Sequence, residues 1–395
     1  MAEALKRRIG LGLLTAYGVG VMVGAGIYVM VGAVAGAAGV WAPLGFLVAG
    51  LIAVPSALSY AELSTRIPEA AGEAAFVQQG LGLRWLSVAV GLAIVLAGLV
   101  SAAAVLRGGT GYLVSVLPVP FTPALLMLGA GLVLVAVLGV LESLLLAAVF
   151  TVVELAGLVL VIYAGMQAVP VADWSAPPDM PFTGLALAAL LAFFAFIGFE
   201  DIVNMAEEVD NPVRTLPRAI LLSLVITSLV YVGVAVAAVR AVPAAELAST
   251  ERPLALVWAR GTGGDPAFLS MIAVFAALNG VLAQIVMAAR VLFGLGRHTG
   301  WLAIFHHAHP RFGTPFKATV LVGAGVLAAA LALPVAVLAG MTSGVLLVVF
   351  ALVNLSLIRL KQRAPEAAFR VGPWVPWLGL LTALGALALS LAGLV

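Results

Sequence analysis

The chain has 395 residues, 64% of them hydrophobic and 9% charged, against roughly 45–50% and 25% in soluble domains. That composition excludes a soluble globular protein and implies an all-α polytopic membrane protein. A net charge of +2 gives no reason to expect a nucleic-acid partner, and the absence of cysteine excludes disulfides, thiolate metal sites and a cysteine nucleophile.

The opening MAEALKRRIG is charged and runs straight into an apolar segment without a small-residue cleavage site, so no removable signal peptide is expected. Apolar runs of about 17–25 residues mark spanning helices. Eleven are expected, near 11–37, 43–62, 85–106, 123–141, 144–167, 184–206, 217–239, 267–290, 317–333, 341–358 and 374–393. With a cytoplasmic N-terminus, the inside segments carry fifteen of the 19 lysines and arginines, the bias of the positive-inside rule. Eleven spans then leave the C-terminus outside. The whole chain, 1–395, reads as one transmembrane domain, with a stretch from Val242 to Ala259 that suits a short helix over the outer mouth.

The first span holds the densest signal. Gly18 to Gly39 contains seven glycines in 22 residues, with Gly24 and Gly26 two apart. Glycine costs about 1 kcal/mol relative to alanine inside a helix and permits non-helical backbone. In lipid, an interrupted helix is tolerable only where its freed N–H and C=O groups face protein, water or a ligand. We read a helix that unwinds around Gly24-Ala25-Gly26 and presents bare backbone to a solute. Close helix packing through Gly20 and Gly24 as GxxxG is the alternative.

A second break is expected in the sixth span. Gly198 sits mid-span, and Glu200, Asp201 and Asn204 follow it at hydrocarbon depth, where charges face a cavity or the bundle interior. A break near Ile197-Gly198 places Glu200 and Asp201 in the first turn of a new half-helix, either as caps of its positive end or along a solute pathway. Beyond it, Asn211-Pro212 reads as a turn and Pro217 as a helix start. The breaks lie in the first and sixth spans, so a half that opens on each is built of five spans. An odd number inverts the second half, so 11–167 and 184–358 are expected as inverted five-helix repeats, with 374–393 as an extra helix. That is the arrangement by which secondary transporters place a solute at the midplane.

The stretches GVGVMVGAGIY, SYAELSTRIPEAAGE and FFAFIGFEDIVNMAEEVDNPVRTLPRAI resemble the amino acid–polyamine–organocation (APC) permeases, most of all the branch related to cationic amino acid transporters. The resemblance covers roughly residues 10–395. It implies the 5+5 leucine-transporter-like fold in a cell membrane and secondary transport of amino acids as symport or antiport, with no cofactor. In that family the broken first span holds the substrate carboxylate on backbone N–H groups, which implicates Gly24, Ala25 and Gly26, with Val21 lining the pocket. The sixth span takes the amino group on backbone carbonyls, which implicates Phe194, Ala195, Phe196 and Ile197. Phe194, Phe196 and Phe199 suit an apolar side chain, whereas Glu200 suits a cationic one. A polyamine carrier of the same fold is the alternative.

Several proton-coupled members carry a lysine mid-way along the fifth span. This chain has Glu154 there, ten residues at about 1.5 Å each from Leu144 and so near mid-bilayer. We expect Glu154 to be the proton-coupling group, with protons as the coupling ion. In sodium-coupled relatives of the fold the eighth span supplies hydroxyl oxygens. Phe275, Ala276 and Ala277 align there and have none. Asn279 and Gln284 in the same span, and Asn354 in the tenth, read as interhelical hydrogen-bonding groups, with Asn279 also a pathway candidate. His306, His307 and His309 fall in an inside loop and read as interfacial residues rather than metal ligands. Nothing resembles a channel filter, and no HExxH or GxSxG motif suggests an intramembrane enzyme.

Overall fold

The structure is a computed structural model that describes residues 9–24, 26–68, 72–138, 144–171, 178–206, 209–307, 309 and 314–391. Among the described residues the chain is all-helical, apart from an isolated bridge between Ile9 and Val209. Among the described residues, eight helical runs are long and apolar enough to cross a membrane, and Leu11–Val23, Phe316–Ala332 and Val375–Leu391 are shorter apolar helices.

The first expected span is two helices, α1 (Leu11–Val23) and α2 (Gly26–Ala38). A turn at Gly39–Trp41 leads into α3 (Ala42–Arg66), and α4 (Gly72–Leu81) then precedes α5 (Arg84–Val114). There follow α6 (Phe121–Leu138), α7 (Leu144–Gln167) and α8 (Phe182–Ala195). The sixth expected span does not continue as an α-helix to 206; after Ala195 it becomes irregular and then a 3-10 turn over Glu200–Met205. The next helix, α9 (Pro212–Ala241), starts five residues before the expected Pro217. Asn211 takes a left-handed conformation and Pro212 occupies the first turn, where a missing N–H costs nothing. The outer stretch forms two short helices, α10 (Ala244–Ser249) and α11 (Pro253–Thr262), which pack on α2 and α7. The last four are α12 (Pro266–His298), α13 (Phe316–Ala332), α14 (Val335–Arg363) and α15 (Val375–Leu391).

Small residues set the close approaches. A Cβ on Gly165 would meet the Ala237 carbonyl oxygen at 2.5 Å, so α7 and α9 touch backbone to backbone. Helix α1 lies between α7 and α9, while α2 packs on α8 and the long α5 runs along α12 and α14. Both discontinuous helices are thereby enclosed.

Polar clasps join α3 to α14. Ser59 and Ser56 bond the Asn354 amide at 2.6 and 2.9 Å, the interhelical role expected of Asn354. At the end of α3 the fully buried Glu62 carboxylate accepts from Arg66 at 2.6 Å, Lys361 at 2.6 Å and the Val371 N–H at 2.8 Å. Removing one partner of a buried ion pair leaves the others uncompensated, typically at about 3–5 kcal/mol. Glu62→Gln is therefore expected to lower the melting temperature of the purified protein in detergent. An unchanged melting temperature would show that the clasp carries no stability.

Candidate functional site

At the first break α1 ends at Val23, and Gly24 takes φ +26° and ψ −133°, a conformation that a side chain disfavours. Its N–H donates to the Gly20 carbonyl at 2.9 Å and closes α1. Helix α2 restarts at Gly26, and Ala25 lies outside the described residues. At the second break α8 ends at Ala195, and Gly198 takes φ +127°. The Gly198 N–H donates to Glu200 Oε2 at 2.9 Å, and its carbonyl accepts from the Asp201 N–H at 3.2 Å. The Glu200 carboxylate thus folds back on the backbone of the break itself, and the turn that follows has no side-chain cap.

The two breaks are in contact. A Cβ added to Gly26 would lie 3.1 Å from Ala195 Cα, and one on Gly198 would lie 2.8 Å from Val21 Cγ1 and 3.0 Å from the Met22 nitrogen. Val21, Gly24, Gly26, Ala195 and Gly198 are therefore brought to one place. The fully buried Tyr231 of α9 ties it together: its hydroxyl lies 2.7 Å from the Met22 carbonyl oxygen and 2.8 Å from that of Ala195. One O–H proton is shared between the C-terminal ends of α1 and α8. Such ends carry partial negative charge and attract cations, while the first N–H groups of α2 attract anions. A zwitterion with its ammonium and carboxylate on one carbon matches both at once.

Sequence reasoning did not find Tyr231. The phenylalanines are committed to packing. Phe196 meets Tyr231 edge to face with centroids 5.2 Å apart, and Phe199 packs against Tyr60 and Phe350 at 5.7 and 5.2 Å. Phe194 is buried, and its carbonyl accepts the Ile197 N–H at 3.3 Å.

Glu154 is 1% exposed on α7. Its Oε1 accepts from Asn279 Nδ2 at 3.4 Å, its backbone carbonyl accepts from the Tyr28 hydroxyl at 3.0 Å, and Oε2 has no partner among the described residues. One turn before it, Thr151 lies against Gly20 and donates to the Ala16 carbonyl at 3.3 Å, so this face of α7 borders α1. The alignment of α12 is corrected by the structure. Phe275 is 47% exposed and points away, and Ala277 packs on Gly109 of α5. The α12 residue nearest the first break is Gly280, whose Cα is 3.9 Å from where a Gly24 Cβ would be. It too offers no side-chain oxygen.

A small cavity adjoins the second break, lined by Ser101, Ile197, Glu200, Asp201 and Gln284 among others. Gln284 donates its amide N–H to Asp201 Oδ2 at 3.3 Å, a bond that joins α12 to the break. Neither Glu154 nor Asn279 lines it. His306 lies away from the site, with Nδ1 3.2 Å from the Phe293 carbonyl oxygen.

Comparison with known proteins covers the same ground. The amino acid permease family profile matches residues 9–395. The chain is 30% identical to the branched-chain amino acid permease BcaP of Bacillus subtilis (strain 168), over 96% of this chain and 87% of that protein. It is 28% identical to the methylthioribose transporter of the same strain, over 86% of this chain and 78% of that protein. Cationic amino acid transporter 9, chloroplastic, of Arabidopsis thaliana is 32% identical over 78% of this chain and 58% of its own length. Since the profile runs from Ile9 to the last residue and takes in both breaks, the chain belongs to the amino acid permease family of the APC superfamily.

Proposed function

We propose that the chain is a secondary active transporter that carries amino acids across the cytoplasmic membrane by alternating access. The observation that supports this most is the meeting of the two helix breaks, with the Met22 and Ala195 carbonyls converging on one hydroxyl beside the N-terminus of α2. The carboxylate goes to backbone N–H groups at Gly24, Ala25 and Gly26. The ammonium goes to carbonyls of Phe194, Ala195, Phe196 and Ile197, with Val21 and Gly198 closing the site. Residues 11–167 and 184–358 act as inverted repeats that rock about this site, with the N-terminus cytoplasmic and 374–393 an added helix.

Coupling is by protons, with Glu154 as the group that exchanges them. Its buried carboxyl beside α1, with Asn279 as a hydrogen-bond partner, supports that role. Exchange of one amino acid for another uses the same parts. The branched-chain substrate in the name of one relative and the cationic substrates in the name of another fit a site whose backbone part is indifferent to the side chain. Uptake into proteoliposomes tests the proposal. Saturable, L-stereoselective flux that accumulates under an imposed pH gradient is expected, and non-saturable flux without stereoselectivity would contradict it, since that is how a channel behaves.

A further inference from the structure

One end of the bundle buries a carboxyl that the transport scheme above does not use. Helices α3 and α14 finish there and α5 begins, with Arg66, Arg84, Lys361 and Arg363 at their ends, so it is the cytoplasmic end in the proposed topology. Helix α4 joins α3 to α5 at this end; it is too short to span, and it packs on α14, α5 and the turn after the second break. Its Glu73 is 3% exposed. The carboxyl faces the Tyr60 hydroxyl of α3. Glu73 Oε1, the Tyr60 hydroxyl and Asn204 Nδ2 of the neighbouring break all lack a hydrogen-bond partner among the described residues.

No cation answers Glu73 among the described residues. In α3, Glu62 already holds both Arg66 and Lys361. The break contributes Glu200 and Asp201, which are acidic. From α14, Arg363 reaches the Gly80 carbonyl at 3.4 Å, at the opposite end of α4, and Arg359 is exposed, as is Arg84 at the start of α5. An ionised Glu73 is thus a buried carboxylate beside two other carboxyls, and such a charge is tolerated only where water reaches it. Burial, with Asp201 adding to it, pushes this carboxyl from an ordinary 4.5 up to about 8. The docked helix therefore prefers the protonated form, and its docking weakens as pH rises from 4.5 to about 8. The other contacts of α4 do not depend on that proton. Phe76 meets Tyr60 edge to face at 6.0 Å, the Ser87 hydroxyl donates to the Ala74 carbonyl at 2.8 Å, and a Cβ on Gly80 would lie 2.5 Å from Ser356 Cβ.

We propose that Glu73 is a proton-operated latch on the cytoplasmic side: protonated, it keeps α4 docked against the second break and α14, and on losing its proton to cytoplasmic water it releases α4 so that the site opens inward. The proton returns from the same water before α4 docks again. The latch rests on the carrier reading for its purpose. It is separate from Glu154, whose carboxyl meets Asn279 of α12 rather than α4. An alkaline cytoplasm thus favours release of solute to that side, and an acidic one holds the inner side shut.

The chain has no cysteine, so a single introduced thiol reports on α4. Ser356 is fully buried under Gly80, and Ser356→Cys places the thiol where only undocking of α4 exposes it. Its rate of labelling by a maleimide is measured on the detergent-purified full chain and divided by that of a cysteine peptide at the same pH. The corrected rate is expected to rise about tenfold or more between about pH 6 and pH 8. Adding Glu73→Gln is expected to leave it low and flat, whereas adding Glu154→Gln is expected to keep the rise. If Glu73→Gln is not recovered folded, Glu73→Met, which fills a similar volume without a titrating group, is read in its place. A flat rate with Glu73 present, the same rise without it, or loss of the rise in Glu154→Gln overturns the latch. Uptake into proteoliposomes is scored separately. A rise that depends on Glu73, in a chain with no saturable amino acid uptake, removes the carrier reading and leaves the proton-operated docking of α4 standing.

Discussion

Gly26→Val is expected to abolish substrate binding while the protein is still made and inserted. A β-carbon at residue 26 already lies 3.1 Å from Ala195 Cα and 3.4 Å from Ala195 Cβ, tighter than ordinary van der Waals contact. Valine adds two methyl groups at the point where α2 meets the end of α8, over the N–H groups assigned to the carboxylate. Overpacking of this kind costs typically about 1–3 kcal/mol, which a helix bundle of this size tolerates, but the displaced α2 no longer aims its amides at the solute. Saturation binding on detergent-purified protein measures the loss, and Gly26→Ala is expected to fall between the two. Wild-type affinity in Gly26→Val would mean that the carboxylate is held elsewhere.

Glu154→Gln is expected to separate binding from energy coupling. Glutamine keeps the shape and a hydrogen-bonding oxygen for Asn279, whose amide lies 3.4 Å from Glu154 Oε1, but it cannot take up or release a proton. The Tyr28 hydroxyl bonds the Glu154 backbone carbonyl, so that contact is indifferent to the substitution. The variant should bind and exchange substrate at close to the wild-type level and lose accumulation driven by a pH gradient. Accumulation at wild-type levels in Glu154→Gln would show that Glu154 only props α1, and that another group carries the proton.

The helices were legible because lipid leaves little choice: an apolar run of spanning length must be helical. The breaks were legible because glycine at residues 24, 26 and 198 is costly in a helix and useful outside one. Gly24 and Gly198 indeed adopt positive φ. Rotation of a helix about its own axis was not legible. Alignment with sodium-coupled relatives set Phe275 beside the first break, whereas it is 47% exposed, because an alignment carries no information on how α12 is rotated in this bundle. Tyr231 was hidden for a related reason. It is one aromatic in an apolar helix, and its partners, Met22 and Ala195, lie 209 and 36 residues away. The polar lining of the cavity likewise comes from α5, the break and α12, and only packing brings Ser101, Asp201 and Gln284 together.

Recognition of both ends of an amino acid by backbone is the central claim, and pairing each L-amino acid with its own decarboxylation product tests it most directly. Lysine against cadaverine, and leucine against its amine, differ only in the carboxylate that Gly24, Ala25 and Gly26 are assigned to hold. Competition against one labelled amino acid in proteoliposomes should show every decarboxylated compound at least a hundredfold weaker than its parent. Equal potency across the pairs would contradict the carboxylate site and identify a carrier of amines.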